Sequence, residues 1–201
     1  MSRFDERART WDTPDRMRRA EMVADAIRQH VPLSPSMRTI DVGAGTGLLG
    51  LALAGDVGEL VLAEPSAGMR EVVGEKLAVL ARPATTVIAF DLLADPSPRP
   101  PFDLAVSQLV LHHLPDTLGA LRAIHRLLAP GGRIALADLD AEDGSFHGPD
   151  AEGIHHLGFD RAHVAGLARE AGFEDVRVTT ATEIDRDGRA FPVFLLLGRR
   201  R

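Results

Sequence analysis

Thr39-Ile40-Asp41-Val42-Gly43-Ala44-Gly45-Thr46-Gly47 decides the fold. Its opening four residues read as a short buried strand, and three glycines follow at alternate positions. Glycine has no Cβ and accepts φ values closed to other residues, so the turn lets bare backbone approach a ligand at the end of a strand. Gly43 and Gly45 begin the GxGxxG pattern of dinucleotide-binding turns, but Leu48 stands at its third glycine position and Gly47 comes one residue early. A nicotinamide site is therefore the weaker of two readings.

Working outward, strands and helices alternate. Upstream, Thr13 before Pro14 marks an N-cap and first helical position, and Met22, Val23, Ala26 and Ile27 recur at helical spacing up to Gln29. Downstream, Leu48–Ala54 reads as a helix and Leu60–Ala63 as a buried strand ending at Glu64. Ser66–Leu80 follows as a helix and Thr85–Phe90 as a third strand ending at Asp91. Four prolines between Asp95 and Pro101 forbid the next helix, because they remove amide donors and fix φ, so a loop replaces it.

Leu104–Val106 is strand four, Asp116–Leu128 a helix, and Arg133–Leu139 strand five after a Pro130-Gly131-Gly132 turn. The polar segment Asp140–Gly158 is long for a connection. A helix over Asp160–Ala171 closes at Gly172, and Val176–Thr180 and Phe191–Leu197 are the last strands. Only a short link with Asp187-Gly188 joins them, which demands an antiparallel hairpin. The expected architecture is α/β: a Rossmann-like, doubly wound, seven-stranded sheet, mostly parallel with the last strand antiparallel, and helices on both faces.

In such a sheet a ligand sits beyond the carboxyl ends of the strands, where the strand order reverses. The chain gathers its unusual residues there: the glycines after strand one, Glu64 after strand two, Asp91 after strand three, Ser107 and Gln108 after strand four. From its place Glu64 can accept both hydroxyls of a ribose, the alternative being a surface acid. Asp91 can accept from an adenine amine while the Leu92 amide donates to the ring, the alternative being a loop cap.

Composition narrows the chemistry. The 201 residues suit one domain, with 1–30 as an N-terminal lid and helix and 31–201 as the ligand-binding domain. There is no cysteine, which excludes disulfides, a thiolate nucleophile and thiolate-ligated metal; no metal site is expected from the histidines either. A formal charge of −6 disfavours a nucleic-acid surface. No apolar run approaches the roughly 18 residues that span a bilayer, and the opening MSRFDERARTWD is too polar for a secretory core, so a cytoplasmic protein is expected. Arg199, Arg200 and Arg201 read as a solvated, frayed end, and Trp11 as either a lid residue or one packed on the surface.

These motifs together resemble the class I S-adenosylmethionine-dependent methyltransferases, from about Thr39 to Gly198. The likeness rests on Ile40–Gly47, Glu64, Asp91, Phe102–Ser107, Leu111-His112-His113-Leu114-Pro115-Asp116 and Leu128–Arg133. It is nearest to the small-molecule branch that includes quinone-pathway enzymes. The resemblance implies that S-adenosylmethionine is the cofactor, held by Asp41, Gly43, Ala44, Gly45, Gly47, Glu64, Pro65, Met69, Asp91, Leu92 and Gln108. Met69 would lie against adenine and Gln108 would flank the methionine part. The acceptor would be a small molecule. Ser107-Gln108-Leu109-Val110 replaces the Pro-Pro motif of amino-methylating nucleic-acid enzymes. Methyl transfer needs a base only if the acceptor has a proton to lose; His147, His155 and His156 are candidates, and His112-His113 is expected to shape its loop. A non-catalytic module that keeps the cofactor is the remaining alternative.

Overall fold

The computed structural model describes residues 3–80, 84–95, 101–147 and 153–201. Short runs of branched apolar residues build β1 (Arg38–Val42), β2 (Glu59–Ala63), β3 (Thr85–Ile88) and β4 (Phe102–Gln108). Three longer strands follow: β5 (Leu128–Leu139), β6 (Phe173–Arg186) and β7 (Arg189–Arg200). They form one sheet in the order β3-β2-β1-β4-β5-β7-β6. The first five run parallel, and β7 is antiparallel to both β5 and β6. The chain winds outward from β1 to β3 and then returns to β4 on the other side, so the order reverses between β1 and β4.

The helices are α1 (Arg3–Arg7), α2 (Pro14–His30), α3 (Leu48–Leu53), α4 (Ala67–Leu80), α5 (Thr117–Leu127) and α6 (Arg161–Glu170). Side chains alternate across the sheet, and each face has its own core. Ile40, Val61, Ala105, Ile134 and Leu136 meet Leu121 and Ile124 of α5 and Val164 and Ala168 of α6. On the other face Leu104, Val106, Ala135 and Ala137 meet Val23 and Ile27 of α2 and Leu49 and Leu53 of α3, while Leu60 and Leu62 meet Val73 of α4. Thr13, Asp116 and Asp160 cap α2, α5 and α6, their side chains accepting from the amides of Arg16, Gly119 and His163.

Three expectations need correction. The Pro130-Gly131-Gly132 turn does not precede β5 but bulges within it: Leu128 already pairs with Phe102, and the ladder resumes at Arg133 opposite Leu104. β6 is longer than Val176–Thr180 because β7 supplies partners for its polar ends, at the cost of register shifts between Glu174 and Arg177 and between Thr180 and Thr182. The terminal arginines are not frayed. Arg199 pairs with Glu174 and Asp175, Arg201 with Glu174, and the Arg200 guanidinium donates to the carbonyls of His125 and Leu128. The proline loop expected before β4 runs through 96–100, outside the described residues.

Candidate functional site

At the carboxyl end of β1 the chain turns through Gly43, Gly45 and Gly47 at φ +67°, +56° and +81°, values that L side chains avoid. A methyl group on Gly43 would also lie 2.6 Å from Val110 Cγ2, so the segment after β4 packs directly on the loop. The Gly43 and Ala44 amides donate to the Ala63 carbonyl, which ties the loop to β2.

Two buried carboxylates hold the same loop. Asp41, 1% exposed, accepts from the Gly50 amide at 2.9 Å and so fixes the loop to α3. Burial pushes its carboxyl up to about 7; the Gly50 bond opposes this, and the Glu64 charge adds to it. Glu64, 6% exposed, accepts from the Gly45 amide through Oε2 and from the Ser66 amide through Oε1, each at 2.8 Å. Burial raises its pKa too, against the lowering effect of those two bonds. Glu64 thus bridges the glycine loop and the start of α4.

The N-terminal segment covers this loop. The Trp11 indole nitrogen lies 3.8 Å from where a Gly45 Cβ would stand. Arg16 holds Trp11 in place, its guanidinium 4.1 Å from the ring centroid and donating to the Trp11 carbonyl. Asp12 accepts from the Thr46 hydroxyl and pairs with Lys76 at 2.6 Å, and Lys76 also donates to the Thr46 carbonyl. Asp5 accepts from the Ser66 hydroxyl and the Gly68 amide, where α4 begins. Asp5, Asp12 and Lys76 carry no signal of these roles in the sequence, since each acts only across the fold.

Other expected site residues are placed less centrally. Asp91 is exposed, and its Oδ1 accepts from the Leu93 and Ala94 amides, so it caps a turn. Leu92 and Met69 are buried apolar residues, and Pro65 leaves its carbonyl to the Arg70 guanidinium. At the end of β4, Ser107 Oγ and Gln108 Oε1 are buried and lack a hydrogen-bond partner. Buried polar atoms are nearly always paired, so two orphans at this strand end suit a polar ligand. Those orphans, the bare glycine backbone and the acceptor oxygens of Glu64 fit a nucleoside bearing an amino acid chain.

Beyond β4, the chain makes a 3₁₀ turn over Leu111–His113. His112 Nδ1 lies 2.6 Å from Asp138 Oδ1, and the two side chains are 2% and 0% exposed. Asp138, the penultimate residue of β5, also accepts from the amides of His112 and Leu139. His113 and His147 lie tilted against the His112 ring, at about 45° and 41°, with centroids 4.0 and 4.9 Å away, and Phe4 meets His113 edge-on at 5.4 Å. His147 Nε2 is buried without a partner, and burial lowers its pKa to about 4, helped by the neighbouring His112. His156 Nε2 bonds the Leu114 carbonyl and Thr117 hydroxyl, and His155 is exposed; both offer backbone amides to the His112 carbonyl. Asp138 escaped the sequence reading, although a lone acid inside Ile134–Leu139 requires a buried partner.

Comparison with known proteins accords with this geometry. A family model described as a methyltransferase domain matches residues 15–178. An uncharacterized methyltransferase of Geobacillus kaustophilus is 34% identical over 59% of this chain and 54% of its own length. The ubiquinone/menaquinone biosynthesis C-methyltransferase of Shewanella sediminis is 26% identical over 74% of this chain and 71% of its own. A solved SAM-dependent methyltransferase of Aquifex aeolicus has the same fold, with a TM-score of 0.73 at 18% identity over 98% of each chain. The chain spans about half the length of the curated relatives it matches first. A sheet with one reversed strand, a glycine turn clasped by Glu64 and a matching family model across most of the sequence lead to one conclusion: the chain belongs to the class I S-adenosylmethionine-dependent methyltransferase family.

Proposed function

We propose that the protein transfers a methyl group from S-adenosylmethionine to a small-molecule acceptor. The observation that carries this reading is Glu64, a buried carboxylate held against the glycine loop by the Gly45 and Ser66 amides. Each of its oxygens has a second lone pair, so both can accept a ribose hydroxyl without releasing the loop. Gln108 Oε1, unpartnered at the end of β4, is the acceptor for an ammonium group. Asp41 keeps the loop on α3, and Asp91 uses its remaining oxygen toward the base. When bound, S-adenosylmethionine supplies a methyl group on a sulfonium. The chain's own part is to align the acceptor and keep water out, which suits the cover of Trp11 over Gly45. The lid is then the stretch from Phe4 to Thr13, and α2 behind it belongs to the helical layer.

A small acceptor agrees with the negative formal charge, which gives phosphate backbones no general surface. Among the described residues no helix is long and apolar enough to cross a membrane. Calorimetric titration with S-adenosylhomocysteine tests the reading. Glu64→Ala should weaken binding by about 1–3 kcal/mol, the scale for charged hydrogen bonds left unmade. Unchanged affinity in that variant removes Glu64 from the site.

A further inference from the structure

We infer a second binding site, for a small organic phosphate monoester, in the cavity where the end of α2 meets β5, β6 and β7. The cavity holds about 420 Å³ and opens beside Arg133, where the β5 ladder resumes. The glycine loop lies beyond the opposite, carboxyl ends of the parallel strands. Arg133 to Leu139 spans about 20 Å along β5, so the two sites are separate.

The charge of the cavity comes from the sheet. Arg133 and Arg199 are direct partners across the β5–β7 ladder, where like charges oppose each other at a cost. They share a face with Ala135 and Leu197, the face that α2 covers. β6 adds Arg177 through an irregularity: the ladder passes from Glu174 to Arg177, with Asp175 between them at φ +55°, and a bulge of this kind re-aims side chains. Three guanidiniums and the His30 ring thus line the cavity against one carboxylate, Asp175, in a chain whose formal charge is −6.

The nearby acids do not neutralise this group. Glu174 and Asp175 both turn to Arg199, Asp175 Oδ2 lying 3.3 Å from its Nε, and Glu174 also serves Arg201. Among the described residues the Arg133 guanidinium has no hydrogen bond or ion pair, and Arg177 has only a neutral partner, the His30 carbonyl at 3.2 Å. That bond also covers the carboxyl end of α2, whose dipole would otherwise repel an anion.

A single carboxylate would leave one of these two cations without a counter-charge. A phosphate monoester carries about two negative charges at neutral pH and three terminal oxygens, which suits guanidinium forks converging from two strands. Beside the cations the lining is apolar, formed by Val31, Ile134 and Leu197, so the organic part of the ester has a place to bury.

The probe is phenyl phosphate, titrated by calorimetry into the full chain with and without S-adenosylhomocysteine. One equivalent should bind saturably in both cases, and benzoate and inorganic phosphate should each bind about tenfold more weakly. Arg133→Gln and Arg177→Gln should each weaken phenyl phosphate about tenfold, the scale of one charged partner lost, and leave S-adenosylhomocysteine affinity unchanged. Because Arg133 opposes Arg199 without a partner of its own, Arg133→Gln should melt no lower than the wild type, which separates lost binding from lost folding. Arg126→Gln, at an exposed position on α5, should alter neither ligand. Absence of saturable phenyl phosphate binding overturns the inference. So does an equal loss in Arg126→Gln, which marks general attraction to positive charge, and so does competition with S-adenosylhomocysteine, which puts the anion in the cofactor's place. Benzoate or inorganic phosphate binding as tightly as the ester overturns the ligand class.

Discussion

Asp41 links the glycine loop to the pH dependence of stability. Its carboxyl is pushed up to about 7 in the folded protein, against an ordinary value near ~3.9 in the unfolded chain. Below about pH 4 both states hold the proton, and no difference arises. Between about 4 and 7 the unfolded chain releases it while the folded protein keeps it, so stability falls as pH rises through that window and levels above it. Glu64, also raised, adds a contribution of the same sign. His147, lowered to about 4, has the opposite sign and costs stability as pH falls below about 6.5. Asp41→Asn keeps an oxygen for the Gly50 amide and removes only the titration. Its Tm relative to wild type should therefore improve steadily from pH 4 to pH 7 and then hold constant, as followed by calorimetry. A difference that stays flat would mean that Asp41 titrates as an ordinary acid.

The segment before α2 behaves as a cover with three anchors: Asp5 on the start of α4, Trp11 over Gly45, and Asp12 between Thr46 and Lys76. Removing one anchor should loosen it without disturbing the sheet. In Asp12→Ala the Trp11 emission is expected to move to longer wavelength and become more open to acrylamide quenching, with little change in Tm; unaltered emission would show that the cover is held elsewhere. This cover was hardly legible beforehand, because Asp5 and Asp12 are common surface residues whose partners lie about 60 and 30 residues away. Elements whose signals are local were legible: Thr13-Pro14 opens α2, Gly172 at φ +105° closes α6, and Asp187-Gly188 turns the last hairpin with both residues at positive φ. β6 was read short because its ends are polar and draw their strand character from β7. The same division runs through the loop contacts: Glu64 stands out at its strand end and meets the Gly45 amide there, whereas Asp138 was missed because only His112, 26 residues away, explains it.

The sheet as a body depends on its reversed strand. β7 carries Phe194, Leu195, Leu196 and Leu197, contributes to the cores on both faces, and joins β5 to β6 in the sheet. Its end is clamped by Arg200 on the carbonyls of His125 and Leu128, where α5 hands over to β5. A chain ending at Gly188 keeps six strands and both carboxylates of the glycine loop, yet it should lose cooperative melting and aggregate, because β5 then exposes Ile134–Leu139 along an unpaired edge. A sharp two-state transition in that truncated protein would show that β7 is dispensable. The order of synthesis gives this arrangement a further meaning. A ribosome delivers β6 before the strand that must be threaded between it and β5, so every nascent molecule passes through a stage in which two neighbours wait, unjoined, for the dozen residues of β7 to emerge from the exit tunnel.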